Sequence, residues 1–366
     1  MTRRAPWTVV PWTTVVPIVA VLALAAAWGR HPDDAVLGVL SLLLVGAVLS
    51  AVHHAEVVAH RVGEPFGSLV LAVAVTVIEV ALIVSLMVSG GKDTSTLARD
   101  TVFAAVIISL NGIVGLCLLV SALRHHLAVF NPEGTGAALS TVIALAAVCL
   151  VVPRFTTTEA GPEFSGGQLA FAAVASLALY GMFVFTQTIR HRDFFLPVEK
   201  GQVDADGDGH ADPPTVRATW TSLGLLLVSL VSVVGLAKVE SPAIERGVAA
   251  LGFPAAFVGV VIALLVLLPE SIAATRAAAN AQVQIGMNLA YGSAMASIGL
   301  TIPTIAVASI WLDGPLRLGL EPIQIVLLFI TVVISILTVV PGRAKPLQGG
   351  VHLVLLTAFL FLSISP

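Results

Sequence analysis

Of 366 residues, 57% are hydrophobic and 11% charged, whereas a water-soluble chain carries about 25% charged residues to cover its surface. That shortage of charge excludes a soluble globular protein and leaves the bilayer as the solvent. The formal net charge of −3 excludes a basic field for nucleic acid, and Cys117 and Cys149, both in apolar stretches, read as small packing residues rather than a disulfide framework.

Crossing about 30 Å of hydrocarbon takes about 20 helical residues. Suitable stretches fall near 12–29, 35–58, 66–89, 100–123, 135–152, 167–189, 218–238, 249–274, 285–311, 321–340 and 347–365, which predicts an all-α integral membrane protein with about eleven transmembrane helices. Turn and cap chemistry separates several of them, as in His31-Pro32-Asp33-Asp34, Gly90-Gly91-Lys92-Asp93, Asn131-Pro132-Glu133-Gly134 and Pro341-Gly342. Pro65 stands where a helix begins without losing a backbone bond. The first stretch follows Arg3-Arg4 as a signal peptide would, but Pro11, Pro17 and its length favour a retained helix. Trp7, Trp12, Trp28 and Trp311 flank spans as interfacial anchors do. With the N-terminus inside, the inner segments hold eleven Lys and Arg and the outer segments seven. This bias predicts a cytoplasmic N-terminus, and the excess of Arg over Lys in an Ala- and Val-rich chain points to a bacterial inner membrane protein.

Residues 1–34 hold the N-terminus and first helix. The remaining ten helices divide into 35–189 and 218–366 across a polar, acidic connector, 190–217. Five is odd, so the second set runs through the membrane upside down relative to the first, an inverted repeat of the kind that holds transporter sites at the midplane.

Two carboxylates stand out deep in the spans, each on the second helix of its set: Glu79 in Thr76-Val77-Ile78-Glu79-Val80, and Glu270 in Leu267-Leu268-Pro269-Glu270-Ser271. An ionisable group at that depth costs several kcal/mol unless it is protonated, paired or bound to a cation. A single one also reads as a neutral structural hydrogen-bonder; two at matching places are much harder to dismiss that way. Pro269 frees the carbonyl of Leu265 and Pro303 that of Gly299, and such carbonyls persist at membrane depth only when buried or lining a cavity. The next helix of each set adds Ser109, Asn111 and Gly112, and Asn288, Gly292, Ser293 and Ser297, which read either as polar site groups or as close helix packing. Thr76, Asn111, Ser293 and the Leu265 carbonyl are the expected supporting groups, around one cavity shared by both glutamates.

These residues carry a resemblance. Gly63-Glu64-Pro65-Phe66-Gly67-Ser68-Leu69 running on to Val77-Ile78-Glu79-Val80, and Leu268-Pro269-Glu270 followed by Asn280-Ala281-Gln282-Val283-Gln284 and Gly292-Ser293-Ala294-Met295-Ala296-Ser297-Ile298, resemble the two conserved regions of ChaA-like calcium (sodium, potassium)/proton antiporters of the cation/calcium exchanger superfamily. The resemblance implies transport of Ca²⁺, or of Na⁺ or K⁺, against H⁺, with no cofactor and no enzymatic turnover. Better-known calcium/proton exchangers carry Gly-Asn-x-x-Glu in each repeat; here Val75-Thr76-Val77-Ile78-Glu79 and Val266-Leu267-Leu268-Pro269-Glu270 lack both asparagines. Thr76 is the expected substitute for one of those ligands.

His53, Glu56 and His60 lie at i, i+3 and i+7, a route for protons or cations or else an interfacial polar cluster. Asp204, Asp206, Asp208 and Asp212 open like a calcium-binding loop, but Thr215 stands where the last ligand would be. They read as a solvated acidic connector with a regulatory role. The sequence thus predicts a secondary antiporter whose partners are the lipid bilayer, metal cations and protons. A gated cation channel built on a carboxylate constriction is the alternative.

Overall fold

The structure is a computed structural model that describes residues 11–30, 32–63, 66–89, 94–196, 214–311 and 314–365. It is helical almost throughout. Nine helices are long and apolar enough to span a membrane among the described residues, and two shorter apolar ones accompany them. In chain order they are α1 (Trp12–Ala27), α2 (Asp34–Val62), α3 (Phe66–Ser89), α4 (Leu97–His125), α5 (Pro132–Arg154), α6 (Gly166–Arg190), α7 (Val216–Ala250), α8 (Phe257–Ala279), α9 (Val283–Ala308), α10 (Pro322–Val339) and α11 (Pro346–Ile364). Side-chain caps start several of them. Asp33 accepts from the Val36 N–H at 3.0 Å, Asn131 accepts from the Glu133 N–H ahead of α5, and Ser165 with Gln168 forms a reciprocal box at α6. Gly63 ends α2 with φ at 73°, a conformation that favours glycine.

Proline shapes the helices from within. Pro17 has no N–H, so the carbonyl of Thr13 loses its intrahelical donor. The Ser50 hydroxyl, at 2.6 Å, and His54 Nε2, at 2.9 Å, take its place, and His54 Nδ1 reaches Ser222 at 3.2 Å. One buried imidazole thereby ties α1, α2 and α7. Pro303 does the same to Gly299, and α9 breaks at Leu300 into 283–299 and 301–308 rather than continuing over the expected 285–311. The expected 218–238 is too short. α7 runs on to Ala250 because Pro242 sits inside it without ending it, so Lys238, Glu240 and Arg246 belong to helical turns and not to a loop.

Loop contacts establish the alternation of crossings. On one side, Ala128–Val129 after α4 pairs antiparallel with Arg343–Ala344 before α11, Arg61 reaches the Pro214 carbonyl, and His125 meets the Ala279 carbonyl. This face carries Arg61, Arg124, Arg190, Arg276 and Arg343 and is called the arginine-rich side. On the other side Arg99, at the start of α4, holds Glu321, at the start of α10, at 3.1 Å, and Arg317 holds Glu163 at 3.2 Å. α3 and α8 therefore run in opposite directions.

Packing follows the same exchange rule. α2 lies on α7, α3 on α9 as α8 on α4, and α6 on α9 as α11 on α4. Two inverted five-helix sets, α2–α6 and α7–α11, plus α1, make up the fold. Two cores result. One joins α4, α5, α6, α9, α10 and α11; the other joins α1, α2, α3 and α7. α8 serves both, giving Val258, Ile262 and Val266 to the second core and Val260, Ala263 and Leu267 to the first.

Candidate functional site

Glu79, midway along α3, is 2% exposed. Ile78 and Leu82 hold that face of α3 in the second core, which brings the carboxyl against α9. There the Ser297 hydroxyl donates to Glu79 Oε2 at 3.0 Å, the one hydrogen bond this carboxyl makes among the described residues. Thr301 stands beside the same carboxyl without bonding to it. Glu79 Oε1 and the hydroxyls of Thr76 and Thr301 are buried with no partner among the described residues.

Glu270, in the second half of α8, is 7% exposed, and its Oε2 also lacks a partner among the described residues. It feels the charges of Glu56 and Glu79, so the three carboxylates share one electrostatic neighbourhood. Pro269 precedes it inside the helix and leaves the Leu265 carbonyl without its usual donor. Leu265 itself packs at the edge of the second core.

A cavity of about 270 Å³ reaches Glu270 from the arginine-rich side. Its walls include Val75 of α3, Gln187 of α6 and Asn288 and Ser293 of α9, and Ala296 lies one residue short of the serine that holds Glu79. Glu79 is not on the wall, so the two glutamates are electrostatic neighbours with only one of them open to the cavity. Near the mouth, Gln284 accepts from the Asn131 N–H at 2.7 Å and donates to Asn288 at 2.9 Å, and Asn288 donates to the Phe195 carbonyl at 2.7 Å. Unpartnered carboxylate and hydroxyl oxygens form a hard donor set, suited to Ca²⁺, Na⁺ or K⁺ rather than to soft metals.

The expected supporting residues separate. Ser293 lines the cavity, and Thr76 is buried on the turn before Glu79. Asn111 is elsewhere. Its amide donates to Thr331 at 2.9 Å and its carbonyl oxygen meets His352 Nδ1 at 3.1 Å, while His352 Nε2 meets Thr338 at 3.1 Å. That buried chain joins α4, α10 and α11 and leaves Asn111 no free amide for a cation. His53 and His60 are exposed and Glu56 is half-buried, with both histidines acting on its charge. Asp204, Asp206, Asp208 and Asp212 lie outside the described residues.

Sequence reasoning left two features without a role. Ser297 was one of several small polar residues; its spacing of four from Ser293 puts both on one face, which is the signal that singles it out. Glu240 was hidden in what reads as a charged loop, yet it is 1% exposed on α7.

The sodium/calcium exchanger protein family matches the chain over residues 35–189 and 221–365. A putative ionic transporter of Sinorhizobium fredii, y4hA, is 42% identical over 362 residues, covering 97% of this chain and 96% of that one. The sodium-potassium/proton antiporter ChaA of Escherichia coli is 33% identical over 350 residues, with 94% of each chain covered. Among solved structures, native YfkE superposes with a TM-score of 0.73 at 14% identity, covering 97% of this chain and 99% of that one, a likeness of fold. An inverted repeat of two five-helix sets, matched by the family in both halves and akin to an antiporter over nearly its whole length, makes this chain a membrane cation-exchange transporter of the sodium/calcium exchanger protein family, and not an enzyme.

Proposed function

We propose that the chain exchanges a metal cation for protons by alternating access at Glu79 and Glu270, with Ca²⁺ the first candidate and Na⁺ or K⁺ the alternatives. The observation that carries this reading is the pair of buried carboxylates on oppositely running helices, each with an unpartnered oxygen, one of them at the end of a cavity open to one side. Two carboxylates are balanced by one Ca²⁺ or by two H⁺, so a single site exchanges them without leaving net charge in a dry interior. With Na⁺ or K⁺, one carboxyl keeps its proton. Ser297 fixes the Glu79 carboxyl so that Oε1 stays free for the ion. Thr76 and Ser293 supply further oxygens, and the Leu265 carbonyl another.

The relatives pull the cation preference both ways. ChaA is a sodium-potassium/proton antiporter, and a relative from Aphanothece halophytica, 22% identical over 362 residues, is a Ca²⁺/H⁺ antiporter. In a bacterial inner membrane with the N-terminus in the cytoplasm, the arginine-rich side faces inward and the cavity is inward-open. The test is collapse of an imposed pH gradient in proteoliposomes, cation by cation, with wild type, Glu79→Gln and Glu270→Gln. Each variant keeps its shape and loses the titrating group, so each should lose exchange at least about a hundredfold. Wild-type rates in either purified, monodisperse variant would end this reading.

A further inference from the structure

A second polar cavity lies on the face opposite the arginine-rich side, between the start of α2 and the end of α7, and the exchange site described above does not use it. Its wall is exposed at Asp34, Ser41 and Arg246 and reaches the buried Glu240. Glu240 is 1% exposed, and its Oε1 is buried with no partner among the described residues. Pro242, two residues on, leaves the Lys238 carbonyl without a helical donor, so the backbone beside Glu240 is opened much as Pro269 opens it beside Glu270.

The geometry at Ser41 decides what this carboxyl can bind. The Ser41 Oγ stands 2.8 Å from Glu240 Oε2 and 3.0 Å from the Leu37 carbonyl. A hydroxyl has one proton and two lone pairs. When Glu240 is ionised, Ser41 donates to Oε2. When Glu240 is protonated, its own O–H donates to Ser41, and Ser41 turns its proton to the Leu37 carbonyl. Both protonation states therefore keep the Ser41–Glu240 hydrogen bond between the same two oxygens without any movement of the backbone, while Oε1 has no partner among the described residues. A metal cation finds less here, because Arg246 offsets Asp34 at the rim and only one carboxylate lies within. Of the other helices packed on α7, α1 has no ionisable side chain among its described residues, and those of α3 and α8 (Glu79, Glu270 and Arg276) lie at mid-membrane or toward the arginine-rich side; Lys238 is engaged over the Trp28 ring at 5.3 Å.

We propose that Ser41 and Glu240 form a proton-binding site on the opposite face, where the Glu240 carboxyl takes up and releases a proton through the Ser41 hydroxyl. It is distinct from the Glu79–Glu270 pair and does not require that pair to be the exchange site.

The test is pH-difference infrared spectroscopy of the purified full chain, which reads protonated carboxyl bands directly. A carboxyl band titrating between about pH 5 and pH 9 should be missing in Glu240→Gln and present in a Glu79→Gln/Glu270→Gln double variant. Ser41→Ala, which keeps the carboxyl and removes only its partner, should move the midpoint of that band by about one pH unit. Ser41→Ala also serves if Glu240→Gln misfolds. A Glu240→Gln spectrum superimposable on wild type, or a midpoint unmoved in Ser41→Ala, overturns the proposal. A second arm measures exchange in vesicles of both orientations. Ser41→Ala should shift the pH dependence on the opposite face by about one unit and leave that on the arginine-rich side unchanged; an equal shift on both faces would also overturn it. Loss of the antiporter reading would show instead as wild-type exchange in the double variant, with the Glu240 band still in place.

Discussion

Replacing Ser297 by alanine removes one hydroxyl and tests how much of the cation affinity depends on a pre-set Glu79. The bond is 3.0 Å long and is the single hydrogen bond, among the described residues, of a carboxyl 2% exposed. Hydrogen bonds to charged groups contribute about 1.5–3 kcal/mol; at 3.0 Å, slightly longer than the best charge-assisted bonds, the lower end applies. About 1.5 kcal/mol is about a tenfold change in an equilibrium constant. The half-saturating cation concentration of Ser297→Ala should therefore rise about tenfold, with the rate at saturating cation within about twofold of wild type, because the carboxyl itself remains. The assay is cation-dependent dissipation of a pH gradient in proteoliposomes, with Thr304→Ala, an exposed hydroxyl on the same helix that bonds only the Leu300 carbonyl, as control. An unchanged half-saturating concentration in a correctly inserted Ser297→Ala protein would refute the assignment of Ser297 as the positioning residue. A fall confined to the maximal rate would refute it equally.

Other substitutions probe the frame. Gly349 faces α4 so closely that a Cβ would lie 2.5 Å from the Leu119 nitrogen and 2.8 Å from the Gly115 carbonyl oxygen. Gly349→Ala should cost about 1–3 kcal/mol by overpacking, read as a lower midpoint of thermal unfolding in detergent; an unchanged midpoint contradicts the close approach. Arg99→Ala leaves Asp100, whose side chain is 3% exposed, with the Gln324 amide at 3.2 Å but no counter-charge, and should cost about 3–5 kcal/mol; the paired change Arg99→Met with Asp100→Leu should recover most of it. Deleting residues 203–213 of the acidic connector should shift the cation dependence of exchange and spare exchange itself. Complete loss in a normally inserted deletion variant would give that segment an essential role.

The spans were legible because apolar length is a one-dimensional property, and so were Glu79 and Glu270, since a carboxylate in a run such as Val77-Ile78-Glu79-Val80 has no surface to reach. Pro269 and Pro303 were legible for a similar reason: a missing N–H acts on a residue four positions back. What could not be read depends on contacts across the chain. Asn111 looked like a ligand until His352, 241 positions away, was seen to hold its carbonyl oxygen. Glu240 sits in a string of charges that reads as a loop; the string is helical, and only the approach of Glu240 to Ser41, 199 positions distant, shows why this one member is buried while Lys238 and Arg246 stay exposed. Ser297 and Ser293 are indistinguishable by type; rotation of α9 against α3 decides which one meets Glu79.

The division of the interior into two cores bears on how the molecule comes apart. Packed cores yield as blocks rather than by gradual loosening, and the Ser297–Glu79 bond crosses from one block to the other, since α9 belongs to the first and α3 to the second. With the site empty, α8, that bond and a narrow contact of α3 with α4 and α9 around Ile83, Ala98 and Ile305 join the two, a seam smaller than either core, so denaturation should proceed in two steps, each with its own midpoint. On the proposed reading, a cation held by Glu79 on one block and Glu270 on α8 would act as a rivet. By mass action it adds to the stability of the joined form alone, about 2.7 kcal/mol at a hundred times its dissociation constant. Saturating cation should accordingly merge the two steps into one, turning the site into a fastener whose presence is visible in cooperativity as well as in transport.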